Sequence, residues 1–462
     1  MRTKATSPNL ENELRSLNLG DVRLNERLRH IVDLVAQRPA DSFPDLMTTK
    51  AELEALYRLF NNEEVTLEKC LAPHANATAE RCRQEKQVLV AHDTTEVAYN
   101  GTGRRGLGPL GGGAQGYLAH VSLAMSADGL RRPMGVLAVD TWVRQPKGKK
   151  KKKKRFDDPD KESSCWKKNL DESQAQLQGV PIIHLLDRGA DSYDLLAKLT
   201  TLHFVSRANQ DRNVCDPESG EPTVTLRQAS RDNPVLLERE VWLNERLKKA
   251  PPRSQRAYPP RRRRKAKLVV RASHIHLNRP KGWPKDLPQM LALKAVHVTE
   301  KDCPEGETPV EWMLYTSEPI DTEEQVAFIV DCYRARWVIE EFFKALKTGC
   351  ALLERQFESR HALLNVLGLF LPIAWRLLLL RHTAELQPQG PATIALSERQ
   401  IDVLKKVSKR PLPQHPTLEQ AFLAIAQLGG HLKHNGRPGW LVLGRGYEKL
   451  MAYEVGWAAA RS

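Results

Sequence analysis

Apolar residues recur at helical spacing near the beginning of the chain and again near its end. Leu24, Leu28 and Ile31 follow one another at intervals of four and three residues, the pattern of a helix that buries one face. The same pattern predicts further helices at about 50–61, 321–347, 359–385, 395–409 and 417–428. We therefore expect a helical segment at each end of the chain.

Short apolar runs between these helical segments predict strands. Residues 87–91 and 180–186 read as buried strands that end at Asp93 and Asp187. Further strand-like runs lie at 117–125, 133–143 and 203–207. Beyond residue 211, runs rich in β-branched residues alternate with Pro, Gly and charged turns, at 223–226, 235–243, 267–277, 291–299 and 310–316. The pattern predicts a β-domain inserted at about 211–318.

The balance of charge favours an acidic polymer as the partner. The 462 residues carry a formal net charge of +15, and lysine and arginine bind nucleic acids by releasing the counterions condensed on their phosphates. Basic residues also cluster at 149–154 and 261–265. The cluster at 149–154 is interpreted as a loop that holds DNA without sequence preference, or as a solvated surface loop with no specific role. The cluster at 261–265 is predicted to lie in a loop flanked by prolines.

Cysteine usage and hydropathy indicate a cytoplasmic protein that does not cross a membrane. The seven cysteines are scattered without a C-x-x-C pair, which is typical of reduced thiols. Cys70, His74 and Cys82 fit no common zinc spacing. The most apolar stretch, 362–380, contains Asn365, Gly368, Pro372 and Arg376. It predicts a buried core helix, and the polar first residues do not resemble a signal peptide.

Asp93 and Asp187 are the first candidates for chemistry. Each follows a short apolar run, and side chains at strand ends leave the packed layer and reach solvent. Aspartates on neighbouring strands can share divalent cations, because Mg²⁺ prefers carboxylate oxygens. A single aspartate after a strand is more often a turn residue or a helix cap.

The third candidate carboxylate lies on the helix predicted at 321–347. Polar residues at spacings of three, four and seven fall on one face of that helix, namely Tyr333, Arg336, Glu340 and Lys347. The opposite face is apolar and suited to packing, with Phe328, Ala335, Ile339, Phe342 and Leu346. The polar stripe is either a functional surface or a ladder of surface ion pairs. Glu341, about 100° further round the helix, is the alternative carboxylate.

These four spaced residues resemble a known family signature. Tyr, two residues, Arg, three residues, Glu, six residues and Lys is similar to the signature of the DDE transposases of the bacterial insertion-sequence-four group. The aspartates stand in A-H-D-T-T-E-V and L-L-D-R-G-A-D, which resemble the family aspartates in context. Further similarity occurs in L-G-D-V-R-L-N-E-R-L at 19–28, G-E-T-P-V-E-W-M-L at 306–314 and A-F-L-A-I-A-Q-L-G-G at 421–430.

The resemblance implies an α/β fold with an RNase H-like catalytic core. A helical domain at 1–70 would bind transposon ends, a catalytic domain at 71–365 would contain the β-insertion at 211–318, and a helical region at 366–462 would dimerise. The implied catalytic and metal-binding residues are Asp93, Asp187 and Glu340, which would hold two Mg²⁺ ions, replaceable by Mn²⁺. The implied DNA contacts are Tyr333, Arg336, Lys347, Arg207, Trp312, Trp337, Lys344, Arg23, Arg27 and Arg58.

Some of these contacts keep a structural alternative. Trp312 and Trp337 match tryptophans that stack on a flipped base, which is physically sensible, but either could be an ordinary core residue. Arg207 could be a plain surface arginine. The arginines of the N-terminal helices could form a solvated basic face.

The resemblance implies a cut-and-paste DNA transposase of a bacterial cytoplasm, associated with the nucleoid when bound to DNA. Its partners would be double-stranded DNA, as transposon ends and target, and a second copy of itself in a synaptic homodimer, with no membrane. It would cleave DNA through a hairpin intermediate and join the 3′ ends to target. The alternatives are an RNase H-like structure-specific nuclease and a non-catalytic repressor derived from a transposase. The repressor predicts the loss of an acidic residue, and none of the three is lost.

Overall fold

The computed structural model describes residues 13–38, 41–101, 103–145, 164–243, 245, 260–432, 434 and 436–459. They divide into two compact units. The first unit is the described part of Met1–Lys151, Asp171–Pro181 and Trp337–Ser462, and the second is that of Lys152–Leu170 and Ile182–Arg336. The lysine run at 149–154 lies outside the described residues.

Four of the described helices near the start of the first unit begin at side-chain caps. They are α1 (Val22–Gln37), α2 (Phe43–Leu46), α3 (Lys50–Asn61) and α4 (Leu67–Cys82). In α3, Thr49 and Glu52 form a capping box, so that each side chain satisfies a backbone N–H at the helix start. Helices α1 and α3 pack on each other, which confirms the helical N-terminal segment.

An aromatic cluster fixes these helices to a later part of the same unit. The ring of Phe357 lies 5.6 Å from Phe43, 5.3 Å from Tyr57 and 5.7 Å from Phe60, each edge-on. Edge-to-face pairs of this kind contribute about 0.5–1.5 kcal/mol each beyond the burial of their area. The N-terminal helices are thereby tied to the segment that leads into the long C-terminal helix.

The strands of the first unit are β1 (Val88–Tyr99), β2 (Gly108–Pro109), β3 (Gln115–Ser126) and β4 (Pro133–Trp142). Strand β3 is central and pairs antiparallel with the other three. The predicted end of β1 at Asp93 is wrong, because the strand continues for six residues to Tyr99. Beyond Asp93 only one face is buried, through Thr95, Val97 and Tyr99, and this alternation marks a half-buried strand.

The second unit is built on a mixed sheet in the order β5-β6-β12-β11-β10-β9. Its strands are β5 (Ile182–Leu186), β6 (Phe204–Arg207), β7 (Asn213–Cys215), β8 (Pro222–Thr225), β9 (Leu237–Leu243), β10 (Arg264–Asn278), β11 (Met290–Lys301) and β12 (Glu311–Thr316). Strands β5 and β6 are parallel, and the pairs from β6 to β9 are antiparallel. All five β-type runs predicted beyond residue 211 are strands. Four of them extend the sheet of β6, and β8 pairs with β7 in a separate two-stranded sheet.

Helices complete the second unit. They are α5 (Ser164–Gln176), which ends in the first unit, α6 (Tyr193–Leu199), α7 (Leu226–Arg231) and α8 (Glu323–Ala335). Helix α8 packs against β5, β6 and β9. With the sheet, these helices make a mixed α/β fold, consistent with the nucleases of the DDE type.

The single helix predicted at 321–347 is wrong. Helix α8 begins after Thr322, whose capping box with Gln325 replaces the expected pair of Asp321 and Glu324. It ends at Ala335, and a turn at Arg336 leads into α9 (Trp337–Lys344) of the first unit. A π-helical turn, Ala345–Gly349, follows. The signature residues are therefore spread over three backbone segments.

Four C-terminal helices complete the first unit: α10 (Arg360–Leu386), α11 (Glu398–Val407), α12 (Leu418–Leu428) and α13 (Trp440–Ala459). Among the described helices, α10 alone is long and apolar enough to cross a membrane by length and composition. Its most apolar window is 94% buried within the structure. The burial confirms the core helix that its interrupted apolar sequence predicts.

Candidate active site

Asp93 lies in the middle of β1, above a buried polar layer. The backbone N–H of Thr94 donates to Asp93 Oδ1 at 2.8 Å. On the other face of the sheet, hydrogen bonds join Thr94 to His120 at 2.8 Å and Ser122 to His92 at 3.0 Å. Burial lowers the pKa of His120 to about 3, so this imidazole stays neutral. The residues on either side of Asp93, His92 and Thr94, are therefore fixed by side-chain hydrogen bonds to strand β3.

Glu340 lies in the first turn of α9, in the same unit as Asp93. Helix α9 packs on β1, and the buried side chains of Ile339 and Phe342 anchor it. The N-terminal turn of a helix favours a negative charge, because its unpaired backbone N–H groups point outward. Glu340 is half-buried. The structure thus places these two predicted carboxylates on elements that pack against each other.

Asp187 follows β5 in the second unit, as predicted. It caps the short turn Arg188–Ala190, and Gly189 N–H donates to its Oδ1 at 2.7 Å. A Cβ added to Gly189 would lie 3.0 Å from Asp187 Oδ1 and 3.1 Å from the ring of Trp166. A side chain at residue 189 would therefore crowd both the Asp187 carboxylate and the Trp166 ring.

Asp191 has an anchoring role that the sequence did not indicate. Its buried carboxylate accepts hydrogen bonds from the backbone N–H groups of Asn209 and Gln210, at 2.6 and 2.9 Å. It also pairs with Arg212 at 2.8 Å. The second aspartate of L-L-D-R-G-A-D thus fastens the loop after β6, and the available signal was its four-residue distance from Asp187.

No metal centre is assembled by the described residues. Within them, no group of three or more His, Cys, Asp or Glu could hold a metal ion. The convergence of Asp93, Asp187 and Glu340 stays a prediction, and their carboxylate oxygens are the donors that Mg²⁺ prefers.

The residues Cys70, His74 and Cys82, which fit no common zinc spacing, do not form a zinc site in the structure, because both ring nitrogens of His74 are hydrogen-bonded. His74 bonds Glu13 through Nδ1 and the backbone N–H of Val136 through Nε2. Burial raises the pKa of Cys70 and of Cys82 to about 12, which keeps both as thiols. These residues are structural.

Four of the predicted DNA contacts form one cluster in the second unit. Arg207 donates to the hydroxyl of Tyr333 at 3.4 Å and to the carbonyl of Glu311 at 3.0 Å. The rings of Trp312 and Tyr333 are 5.5 Å apart, and the guanidinium of Arg336 lies 6.0 Å from the Tyr333 ring. The signature tyrosine therefore organises the other three.

Two residues of the predicted polar stripe are buried, which does not fit the alternative of a ladder of surface ion pairs. Tyr333 is only 1% exposed and Arg336 only 5%. Arg336 keeps right-handed helical dihedral angles although it lies in a turn between α8 and α9, and Lys347 lies in the π-helical turn. Burial lowers the pKa of Lys347, against the opposing effect of Glu96 on β1. A phosphate beside Lys347 would oppose this lowering, because a nearby negative charge favours the charged form of a lysine.

The remaining predicted DNA contacts are accessible. Trp337 is 43% exposed, and Lys344 is exposed and paired with Glu341. Arg27 and Arg58 are exposed on α1 and α3. Arg23 pairs with Asp21 at 3.1 Å, and an ion pair at such an exposed site contributes little, so a phosphate can replace it.

Of the basic cluster at 261–265, Arg264 is structural. It lies at the start of β10, with ion pairs to Glu300 and Glu307. The expected loop therefore ends where β10 begins, because two glutamates bind this arginine within the fold.

Two segments of the chain match known protein families. Residues 7–65 match the model of the transposase DNA-binding family, and residues 161–371 match that of the transposase DDE domain. The chain carries a transposase DNA-binding domain and a transposase DDE domain. The DDE match contains Asp187 and Glu340, and Asp93 lies before it. Together the matches support a DDE transposase, an enzyme that binds, cuts and joins DNA.

The DNA-binding domain yields a direct prediction. Replacing Arg27 or Arg58 by alanine should weaken binding to DNA, because each removes an exposed cation of that domain. The slope of log affinity against log salt should fall by about 0.9 for each phosphate that the variant no longer neutralises. Gel-shift titrations at several salt concentrations measure both quantities.

Arg410→Ala provides the matched control for these variants. Arg410 is equally exposed but lies outside the DNA-binding match. Its replacement should leave the slope unchanged, and an equal effect in all three variants would contradict the assignment of α1 and α3 to DNA.

Proposed function

We propose that this protein is a cut-and-paste DNA transposase of the insertion-sequence-four group. The observation that carries the proposal is the order of the two family matches, a DNA-binding domain followed by a DDE domain that contains the Tyr-Arg-Glu-Lys spacing. The proposed architecture is an RNase H-like core with a β-insertion, an end-binding domain at 1–70 and a dimerisation region at 366–462. The proposed location is the bacterial cytoplasm.

Asp93, Asp187 and Glu340 are the proposed ligands of two Mg²⁺ ions. Divalent cations bound in such a site lower the pKa of an attacking hydroxyl and stabilise the leaving oxygen of an in-line displacement. The half-buried positions of all three carboxylates suit this role, since a partly desolvated carboxylate retains a strong interaction with a cation.

The basic residues of the signature are proposed to hold the phosphates. Arg336 and Lys347 are partly withdrawn from solvent, where a cation interacts with a phosphate more strongly than it does in water. Arg207 and Tyr333 support Arg336 through their shared cluster. Trp337 presents an exposed ring, which suits stacking on a base turned out of the duplex during hairpin formation.

A strand-joining assay tests the proposed function. The purified protein is incubated with Mg²⁺, a labelled duplex that carries the inverted repeat flanking its gene, and supercoiled plasmid. We expect Mg²⁺-dependent cleavage at the repeat and transfer of the labelled 3′ end to the plasmid, both abolished by EDTA. Cleavage without transfer would instead indicate a structure-specific nuclease. Binding without cleavage would indicate a repressor derived from a transposase.

A further inference from the structure

The C-terminal helix α13 lies directly against the segment that carries Glu340 and Lys347. The indole N–H of Trp440, the first residue of α13, donates to Glu341 Oε2 at 3.2 Å. Trp440 is itself held in place, because it is only 8% exposed and the guanidinium of Arg381 on α10 lies 4.8 Å over its ring. Arg381 also donates to the carbonyl of Pro438. The donor therefore comes from a fixed side chain.

A second contact joins the same two segments through their backbones. A Cβ added to Gly444 would lie 2.3 Å from the carbonyl oxygen of Gly349, so α13 touches the π-helical turn without an intervening side chain. Gly349 ends the turn that carries Lys347. Trp440 and Gly444 are four residues apart and lie on one face of α13. One turn of α13 thus contacts residues 341–349 at two points.

These contacts matter because α9 is short. It has eight residues, well below the about 12–15 residues that an isolated helix needs for marginal stability in water. The turn at Arg336 separates it from α8. Glu341 follows Glu340 by about 100° around the helix axis. A hydrogen bond that fixes Glu341 therefore also fixes the rotation of α9, and with it the direction of Glu340.

We propose that Trp440 is a positioning residue for Glu340, acting through the hydrogen bond to Glu341. The proposal rests on the proposed function, since it takes Glu340 as a carboxylate of the reaction. It gives the C-terminal region a task within its own subunit, besides the dimerisation expected for it. Helix α13 sets the geometry of the segment from Glu340 to Lys347, and the indole N–H is the specific link.

The test is W440F, which removes the N–H donor and keeps an aromatic ring. We expect the kcat of end cleavage to fall about 10- to 100-fold, the loss that a displacement of about 1 Å causes. The KM and the affinity for the DNA end should stay unchanged. The Mg²⁺ concentration for half-maximal activity should rise severalfold, and calorimetric titration of Mg²⁺ into the protein without DNA should show the same weakening.

Three further variants serve as controls for W440F. G456A alters the same helix where an added Cβ meets open space, and it should behave as the wild type. E341A removes the acceptor of the same bond at a half-exposed position, so it replaces W440F if that variant does not fold. E341Q keeps an acceptor oxygen and should retain more activity than E341A.

The outcomes separate this proposal from the proposed function. A folded W440F with wild-type kcat and wild-type Mg²⁺ binding would overturn the role of Trp440, even if its melting temperature fell. A wild-type protein that binds DNA ends but neither cuts nor joins them would overturn the proposed function instead. A normal kcat in E341A would likewise refute the positioning bond.

Discussion

Replacing Glu340 by glutamine is expected to abolish DNA cleavage and strand joining while leaving the affinity for DNA ends unchanged. The change removes one negative donor from the proposed metal site and keeps the size of the side chain. A metal centre supplies several kcal/mol of transition-state stabilisation, so the rate should fall by at least about 10³-fold. Cleavage of a labelled duplex and a gel shift on the same duplex measure the two effects.

The same outcome is expected for Asp93→Asn and Asp187→Asn. Glu398→Gln is the control, because Glu398 is an exposed carboxylate at the start of α11 and is not proposed for the site. Full cleavage by any of the first three variants would remove that residue from the site. Loss of activity in E341Q with full activity in E340Q would move the third carboxylate to Glu341.

Replacing Glu13 by alanine should destabilise the first unit by about 3–5 kcal/mol, the range found when one partner of a buried ion pair is removed. Glu13 is buried and bonds His74 at 2.8 Å and Arg81 at 2.6 Å. Arg81 in turn donates to the carbonyl of Met134 and lies 4.2 Å over the ring of Trp375. Without Glu13, a buried guanidinium loses its counter-charge. Urea unfolding followed by tryptophan fluorescence measures the loss.

The free energy of unfolding at acid pH provides a second test of the role of Glu13. Burial alone would raise its pKa, but His74 and Arg81 outweigh it and bring the pKa to about 2, from 4.5 in the unfolded chain. Since the folded value is the lower one, the contribution is complete above pH 4.5 and is lost as the pH falls toward 2. Burial also lowers the pKa of His74, so its protonation opposes folding below about pH 6.5.

The controls for Glu13 are E13Q and E64A. E13Q should flatten the part of the decline between pH 4.5 and 2 that belongs to Glu13. Glu64 forms an exposed pair with Lys69, so E64A should change the free energy of unfolding by less than about 1 kcal/mol. Equal destabilisation by E13A and E64A would contradict the buried network.

Local patterns predicted the regular elements of this fold well. The five runs at 223–316 combine apolar, β-branched residues with Pro and Gly at their ends, and all five form strands. Side-chain caps and breaks likewise marked α11 and α12, where Ser397 and Thr417 begin capping boxes. These features depend on neighbours within a few residues, so the sequence contains them.

The errors occurred where distant packing overrides the local pattern. Residues 321–347 contain neither Gly nor Pro, so no local signal marks the break at Arg336. The break reflects tertiary packing, since α8 packs on the sheet of the second unit and α9 on β1 of the first. The strand continuing past Asp93 is similar, because its pairing with β3 makes polar residues part of the sheet.

The residues of the site also divide into those that local sequence patterns mark and those that only distant packing brings together. Glu340 was marked by spacing and by its resemblance to a family signature, and Asp187 by its place after a strand. Trp440 lies 99 residues from Glu341, and Glu13 lies 61 residues from His74. Neither pair has a periodic relation along the chain. Contacts of this kind follow from the three-dimensional fold alone.

The segmented composition of the first unit has a consequence for synthesis. The second unit draws most of its residues from the continuous stretch Ile182–Arg336, whereas the first needs Trp337–Ser462 to join residues made much earlier. During synthesis, β1 and the N-terminal helices emerge from the ribosome before α9, α10 and α13. Their apolar faces are covered only when these later helices have been made. Contacts this distant in sequence form late, because a long loop must close first. The segment that carries Glu340 and Lys347 can therefore pack against α13 only after that helix has emerged.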